Sequence, residues 1–149
     1  MTSDNLFMSC SRVGGLIAVA LIIAGCAGRS QTSPSSALTV DQLSGTWNLV
    51  SIQPAGQADQ VAPPGASYTL TFADSRLSTR VDCNVCSGTF TLSGQTLTAG
   101  PALACTRAAC PTMAFENGYT SLLSGDSTAT LANNVLALSS ARGVLRFTR

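Results

Sequence analysis

The chain has 149 residues, of which only 10% are charged, and its eight basic residues, all arginine, stand against seven acidic ones. Soluble domains carry about 25% charged residues, and a nucleic-acid binder carries a basic patch that this balanced composition does not supply. The chain contains no histidine, which excludes Ser-His-Asp and Cys-His catalysis and every histidine-containing metal site. We therefore expect one strand-rich, extracytoplasmic domain with its own core, and no nucleic-acid partner.

The N-terminal 25 residues have the organisation of a bacterial export signal. An uncharged apolar run over residues 13–25 has the length of a signal core, shorter than the about 20 residues that span a bilayer. It ends in the sequence I-A-G-C, which is similar to the lipobox of bacterial lipoproteins and makes Cys26 the lipid acceptor. We predict a signal peptide over 1–25, palmitate-type acylation of Cys26 and a flexible tether over 26–40. A plain signal peptide, or an uncleaved anchor with an incidental cysteine, is the alternative.

Alternating apolar and polar residues indicate a mainly β domain after the tether. They predict about eight short strands, preceded by a short turn at Asp41–Ser44. Between Pro111 and Leu123 apolar residues recur at helical spacing, which predicts one short helix with Pro111 at its first position. A small antiparallel β-barrel, closed or nearly closed, hides the edges of so many short strands. The segments with strand patterns are Gly45–Ile52, Ser67–Phe72, Arg76–Asp82, Thr89–Ser93, Thr96–Ala99, Pro101–Thr106, Thr128–Ala132, Val135–Ser139 and Gly143–Thr148.

Four of the six cysteines, Cys83, Cys86, Cys105 and Cys110, form one Cys-x2-Cys and one Cys-x4-Cys pair. Disulfides persist in exported proteins, and four cysteines permit three pairings, of which the local one restrains the unfolded chain least. A loop of twenty-odd residues closed in this way stabilises a domain by about 3 kcal/mol. A four-thiolate zinc site and a redox-active Cys-x2-Cys compete with this interpretation. The x4 spacing disfavours zinc, and the position of Cys83 at a strand end, outside a helix start, disfavours redox activity.

The acidic residues of the domain do not form a catalytic motif. Asp74, Asp82, Glu116 and Asp126 are scattered along the chain, and we interpret each of them as a turn residue or a solvated charge. We therefore expect no catalytic residue, no bound cofactor and no metal.

Several segments resemble the META domain, also called the HslJ-type domain. They are L-S-G-T-W-N-L at 43–49, the D-C-N element at 82–84 with the S-G-T-F that follows it, and C-T-R-A-A-C at 105–110. The resemblance covers about residues 41–149. It implies a compact β-rich barrel with a helix, often in lipoproteins and linked to envelope stress, with no established catalytic residues. The family pattern suggests a single cysteine pair, which corresponds to Cys83–Cys110 here and leaves Cys86–Cys105 as the second bond.

We therefore expect the mature domain over 41–149 to be a non-enzymatic protein of the bacterial cell envelope. Its lipid anchor would hold it on the periplasmic or extracellular face, where it acts through an envelope protein partner or as a structural factor. The alternative is a calycin-like barrel that binds a small apolar ligand. Trp47 on the first strand, with Arg146 near the end and able to pack across the indole, looks like the calycin closure. The plainer interpretation makes Trp47 a core aromatic that plugs one end of the barrel.

Overall fold

The computed structural model describes residues 37–149, so the predicted signal peptide, Cys26 and most of the predicted tether lie outside the described residues. Residues 37–149 form two helices, α1 (Val40–Leu43) and α2 (Met113–Leu123), and nine strands. No helix in this part of the chain is long and apolar enough to cross a membrane. The strands are β1 (Gly45–Pro54), β2 (Tyr68–Ala73), β3 (Arg76–Val81), β4 (Asn84–Ser93), β5 (Thr96–Ala99), β6 (Ala104–Cys105), β7 (Gly125–Ala132), β8 (Val135–Ser140) and β9 (Gly143–Thr148).

Eight of these strands close into one antiparallel barrel. Neighbouring strands pair in the order β3, β2, β1, β9, β8, β7, β5 and β4, and the pairing of β4 with β3 completes the ring. The short strand β6 pairs with β4 at Cys86 and Ser87, before the stretch of β4 that pairs with β5. The predicted antiparallel barrel is thus confirmed, with one additional strand outside the ring.

Inward-facing side chains fill the barrel. Strand β2 directs Tyr68, Leu70 and Phe72 to the interior, and β9 does the same with Leu145 and Phe147, because alternate residues of a strand share one face. Burying each such side chain stabilises the fold by about 1.5–3 kcal/mol. The largest fully buried side chains are Trp47, Tyr119, Phe72, Phe147, Leu43, Ile52, Leu70, Leu77, Leu97, Leu123, Leu136 and Leu145.

Helix α1 packs at one end of the barrel, and the residues just before it belong to the fold. Thr39 caps the helix: its hydroxyl accepts a hydrogen bond from the Gln42 N–H at 3.3 Å, and its own N–H donates to the Gln42 side chain at 2.9 Å. Leu38 packs against the core, and its N–H donates to the Gly94 carbonyl at 3.2 Å. The tether was predicted to reach residue 40, and the structure differs because these contacts bring Leu38 and Thr39 into the domain.

Helix α2 begins later than its sequence pattern suggests. Pro111 was predicted to be the first helical residue, which was wrong, because the helix begins at Met113 with Thr112 as its N-cap residue. The Thr112 hydroxyl donates to the Asp82 carboxylate at 2.6 Å and makes no hydrogen bond to the helix. The contact with the turn after β3 therefore sets the start of α2.

Helix α2 closes the other end of the barrel through Tyr119, which is fully buried. The Thr79 hydroxyl donates to the Thr69 carbonyl at 2.6 Å, so the Tyr119 hydroxyl, 2.7 Å from Thr79 Oγ1, is the donor in that pair. Burial raises the pKa of Tyr119 above its ordinary 10.0, while the hydrogen bond to Thr79 acts in the opposite direction. Gly118 lies within α2 and faces β1, where a Cβ would lie 3.4 Å from Ile52 Cδ1.

Strands β4 and β6 differ most in length from their predicted bounds. Strand β4 begins at Asn84, where the pattern indicated Thr89, because a turn with a positive φ of 60° at Asp82 lets Asn84 pair at once with Val81. The predicted strand over 101–106 shrinks to β6, Ala104–Cys105. A positive φ of 49° at Gly100 precedes it, and Pro101 has no N–H to give to a ladder.

Candidate functional site around the paired cysteines

Both disulfides have the nested pairing that the family resemblance implied. Cys83 is bonded to Cys110 with the Cα atoms 6.1 Å apart, and Cys86 to Cys105 with the Cα atoms 4.0 Å apart. Cys86 and Cys105 also lie directly opposite each other in the β4–β6 pairing. Because all four sulfur atoms are used in disulfides, they do not form the zinc site considered above. Within residues 37–149 no group of three or more histidine, cysteine, aspartate or glutamate side chains could hold a metal ion.

Asn84 is the polar centre of the loop that the two disulfides hold, and only 1% of it is exposed. Its Oδ1 accepts hydrogen bonds from the Ala108 N–H at 2.8 Å and from the Thr106 hydroxyl at 2.9 Å. Its Nδ2 donates to the Ala108 carbonyl at 3.0 Å and lies 3.0 and 3.2 Å from the two Glu116 carboxylate oxygens. One buried amide thus joins β4, the loop after β6 and α2, with both of its polar atoms satisfied.

Glu116 contradicts the interpretation of the acidic residues as turn residues or solvated charges. It lies in the first turn of α2 and is only 6% exposed. Near a helix N-terminus the helix dipole favours a negative charge. Asp74 and Asp82 do occupy turns, with positive φ values of 47° and 60°, whereas Asp126 lies on β7 and accepts a hydrogen bond from a neighbouring threonine hydroxyl at 2.7 Å.

A second polar group lies close to Glu116. The Tyr68 hydroxyl is buried and has no hydrogen-bond partner within the described part of the chain. Burial raises the pKa of Tyr68; the nearby Thr112 hydroxyl opposes this effect, and the charges of Asp82 and Glu116 add to it.

An open cavity of about 250 Å3 lies between the loop after β6 and the first two turns of α2. Asn84 and Glu116 form part of its lining, together with the exposed side chains of Arg107, Met113 and Asn117. Arg107, Glu116 and Asn117 were not predicted as site residues. The cavity lies outside the barrel interior, so it is distinct from the site that a calycin-like barrel would use.

Trp47 and Arg146, the residues predicted to form a calycin-like closure, are not in contact in the way expected. Trp47 is 1% exposed, and its indole N–H donates to the Leu43 carbonyl at 2.8 Å, as a core aromatic at the barrel end does. The cation over the indole is Arg149, with its guanidinium carbon 4.1 Å from the ring centroid. Arg146 points outward from β9 and pairs with Asp59 at 3.1 Å, so its predicted packing on the indole was wrong.

The fold and the site together define a small, closed antiparallel barrel with a capping helix and a loop braced by two disulfides. The family profile of the META domain matches residues 38–149. The chain therefore belongs to the META domain family, as the sequence motifs predicted. No curated protein matches the chain.

Solved structures share the fold. One is the NMR structure of a protein from Burkholderia xenovorans, 22% identical, which covers 94% of this chain and 98% of its own with a TM-score of 0.62. A second NMR structure is 27% identical and covers 74% of this chain and 94% of its own, with a TM-score of 0.60. The crystal structure of a DUF4847 family protein from Bacteroides vulgatus is 17% identical, covers 71% and 92%, and has a TM-score of 0.51. These similarities support the barrel topology described above.

Proposed function

We propose that this chain is a non-enzymatic, HslJ-type META protein of the bacterial cell envelope, anchored by acyl chains on Cys26. In this proposal it acts through an envelope protein partner or as a structural factor, with a link to envelope stress. The two disulfides are the observation that carries the proposal. Such bonds persist in oxidising compartments and are rare in the cytosol, which agrees with the lipobox-like sequence that ends at Cys26.

The chemistry of the acidic side chains supports a non-enzymatic role. Asp82 accepts from Thr112 at 2.6 Å, and Asp59 pairs with Arg146 at 3.1 Å. Each of these carboxylates is thus engaged in a bond that holds two segments of the fold together. A general base must reach a proton on a substrate, whereas these two carboxylates bind groups of the fold itself.

The packing of the barrel favours this proposal over a calycin-like carrier. Phe72, Leu97, Leu136 and Phe147 come from four different strands, and all are buried at 1% exposure or less. A carrier needs an apolar pocket of at least about 300 Å3, and here large side chains occupy the corresponding volume. Helices α1 and α2 also cover the two ends of the barrel.

Acylation of the full chain in a bacterial host tests the anchor. Cells fed a clickable palmitate analogue should label the wild-type chain and carry it in the membrane fraction. Cys26→Ser should lose both properties, whereas Cys10→Ser, which removes a cysteine before the predicted cleavage site, should keep them. A cytosolic chain with four free thiols, or labelling that survives Cys26→Ser, would contradict the proposal.

A further inference from the structure

The cavity beside α2 presents two opposite charges that do not meet. Glu116 and Arg107 both line it, yet the ion pair found within residues 37–149 joins Arg146 to Asp59. We propose that this cavity binds a small zwitterion of the α-amino acid class, with its ammonium group at Glu116 and its carboxylate at Arg107. This inference goes beyond the proposed envelope role and does not depend on the lipid anchor.

Glu116 supplies the site for the ammonium group. The side chain is 94% buried, as its 6% exposure shows, and its carboxylate accepts hydrogen bonds from Asn84 alone among the described residues. Two carboxylate oxygens offer about four lone-pair positions. Glu116 can therefore accept further hydrogen bonds from a group bound in the cavity that it lines. A buried charge without a counter-ion is costly, and an ammonium ion that enters the cavity would compensate it.

Arg107 supplies the site for the carboxylate group. Its side chain is exposed on the loop between Cys105 and Cys110, and it makes no hydrogen bond or ion pair within the described part of the chain. A guanidinium group offers five donors in a planar fork that matches a carboxylate. Asn117, whose exposed side-chain amide also lines the cavity, can contribute a further donor to the same ligand group.

The size and rigidity of the cavity fit a small ligand. Its volume of about 250 Å3 is about eight times the volume that one water occupies in the liquid. The Met113 side chain, which is 39% exposed, gives one apolar wall for a short side chain. Both disulfides fix the loop that carries Arg107, so little conformational entropy would be lost on binding.

Equilibrium dialysis with the oxidised full chain in detergent tests the proposal, with radiolabelled glycine, L-alanine and L-leucine as probes. We expect saturable binding of at least one probe at one mole per mole, with a Kd at or below the millimolar range. Arg107→Ala and Glu116→Gln should each weaken binding at least about tenfold, because each removes a charge-assisted hydrogen bond. Arg76→Ala is the matched control, since Arg76 is an exposed arginine on β3 outside the cavity, and it should bind as the wild type does.

Competition and folding controls make each outcome decisive. Excess unlabelled amino acid should displace the probe, whereas methylamine and acetate, each carrying half of the zwitterion, should not. No saturable binding of any probe at about 10 mM, binding that survives both substitutions, or displacement by methylamine alone would each overturn the proposal. Arg107 is exposed, so Arg107→Ala keeps the test valid if Glu116→Gln does not fold.

Discussion

Removing the buried Asn84 side chain at the start of β4 should destabilise the domain strongly. In Asn84→Ala the Glu116 carboxylate loses the amide donor Nδ2, which lies 3.0 and 3.2 Å from its two oxygens, and the Ala108 N–H and Thr106 hydroxyl lose their acceptor. A hydrogen bond to a charged group contributes about 1.5–3 kcal/mol and a neutral one about 1. Water can reach the exposed loop and replace part of the neutral bonds, so we expect a loss of about 3–4 kcal/mol.

Urea unfolding of the oxidised full chain measures this loss. With a slope of about 1.5–2 kcal/mol per M, the midpoint should fall by about 2 M while the slope stays unchanged. Asn48→Ala is the control, because Asn48 is an exposed asparagine on β1, and it should change stability by less than about 0.5 kcal/mol.

A double-mutant cycle with Glu116→Gln isolates the link between the amide and the carboxylate. In that background Asn84→Ala should cost about 1–2 kcal/mol less than in the wild type, because the buried charge is already absent. A loss below about 1 kcal/mol in the single variant, or additive losses in the cycle, would refute the idea that Asn84 compensates Glu116.

Three further predictions concern the barrel. Burial raises the pKa of Tyr119 above 10.0, so the unfolded chain loses this proton first as the pH rises. The contribution of Tyr119 to the free energy of unfolding should therefore be constant below pH 10 and fall above it. Urea unfolding measured at a series of pH values should show that Tyr119→Phe reduces this fall by about 1.4 kcal/mol per pH unit; an unchanged slope would contradict this. At Gly143 (φ +144°) a Cβ would come within 2.9 Å of the β1 backbone, so Gly143→Ala should lose at least about 3 kcal/mol. Gly94→Ala, where the space is open, should lose only about 1, and equal midpoints in urea would be evidence against the close approach. Arg149→Ala should change the fluorescence of Trp47, the single tryptophan, and cost about 1–2 kcal/mol by thermal melting; an unaltered spectrum would contradict the contact.

Most of the fold could be predicted from the strand pattern, because apolar and polar residues alternate with a period of two wherever one face of a strand is buried. The alternation of Leu77, Thr79 and Val81 with exposed neighbours appears unchanged in β3. The bounds of β4 and β6 could not be predicted, because they depend on a positive φ at Asp82 and on the pairing of Cys86 with Cys105. Both are consequences of tertiary contacts that local propensity does not encode.

The polar site was harder to predict than the barrel. Glu116 lies three residues before Tyr119 and seven before Leu123, on the buried stripe of α2, and this spacing was a signal that its charge faces inward. Asn84 was present in the D-C-N element, but the sequence did not indicate that its amide contacts the helix. Arg149 has the same strand parity as the inward-facing Phe147, whereas Arg146 has the opposite parity. Parity along β9 therefore identifies the arginine that covers the indole.

The seam of the barrel is formed by the strands that lie farthest apart along the chain. Asn48 of β1 pairs with Thr148 of β9, so β1 has a free edge until the C-terminal strand is available. Contacts of such long sequence separation form slowly, whereas the loop between Cys83 and Cys110 can close by itself. During synthesis the nascent chain therefore exposes the unpaired edge of β1 to aggregation and to chaperones until β9 has emerged.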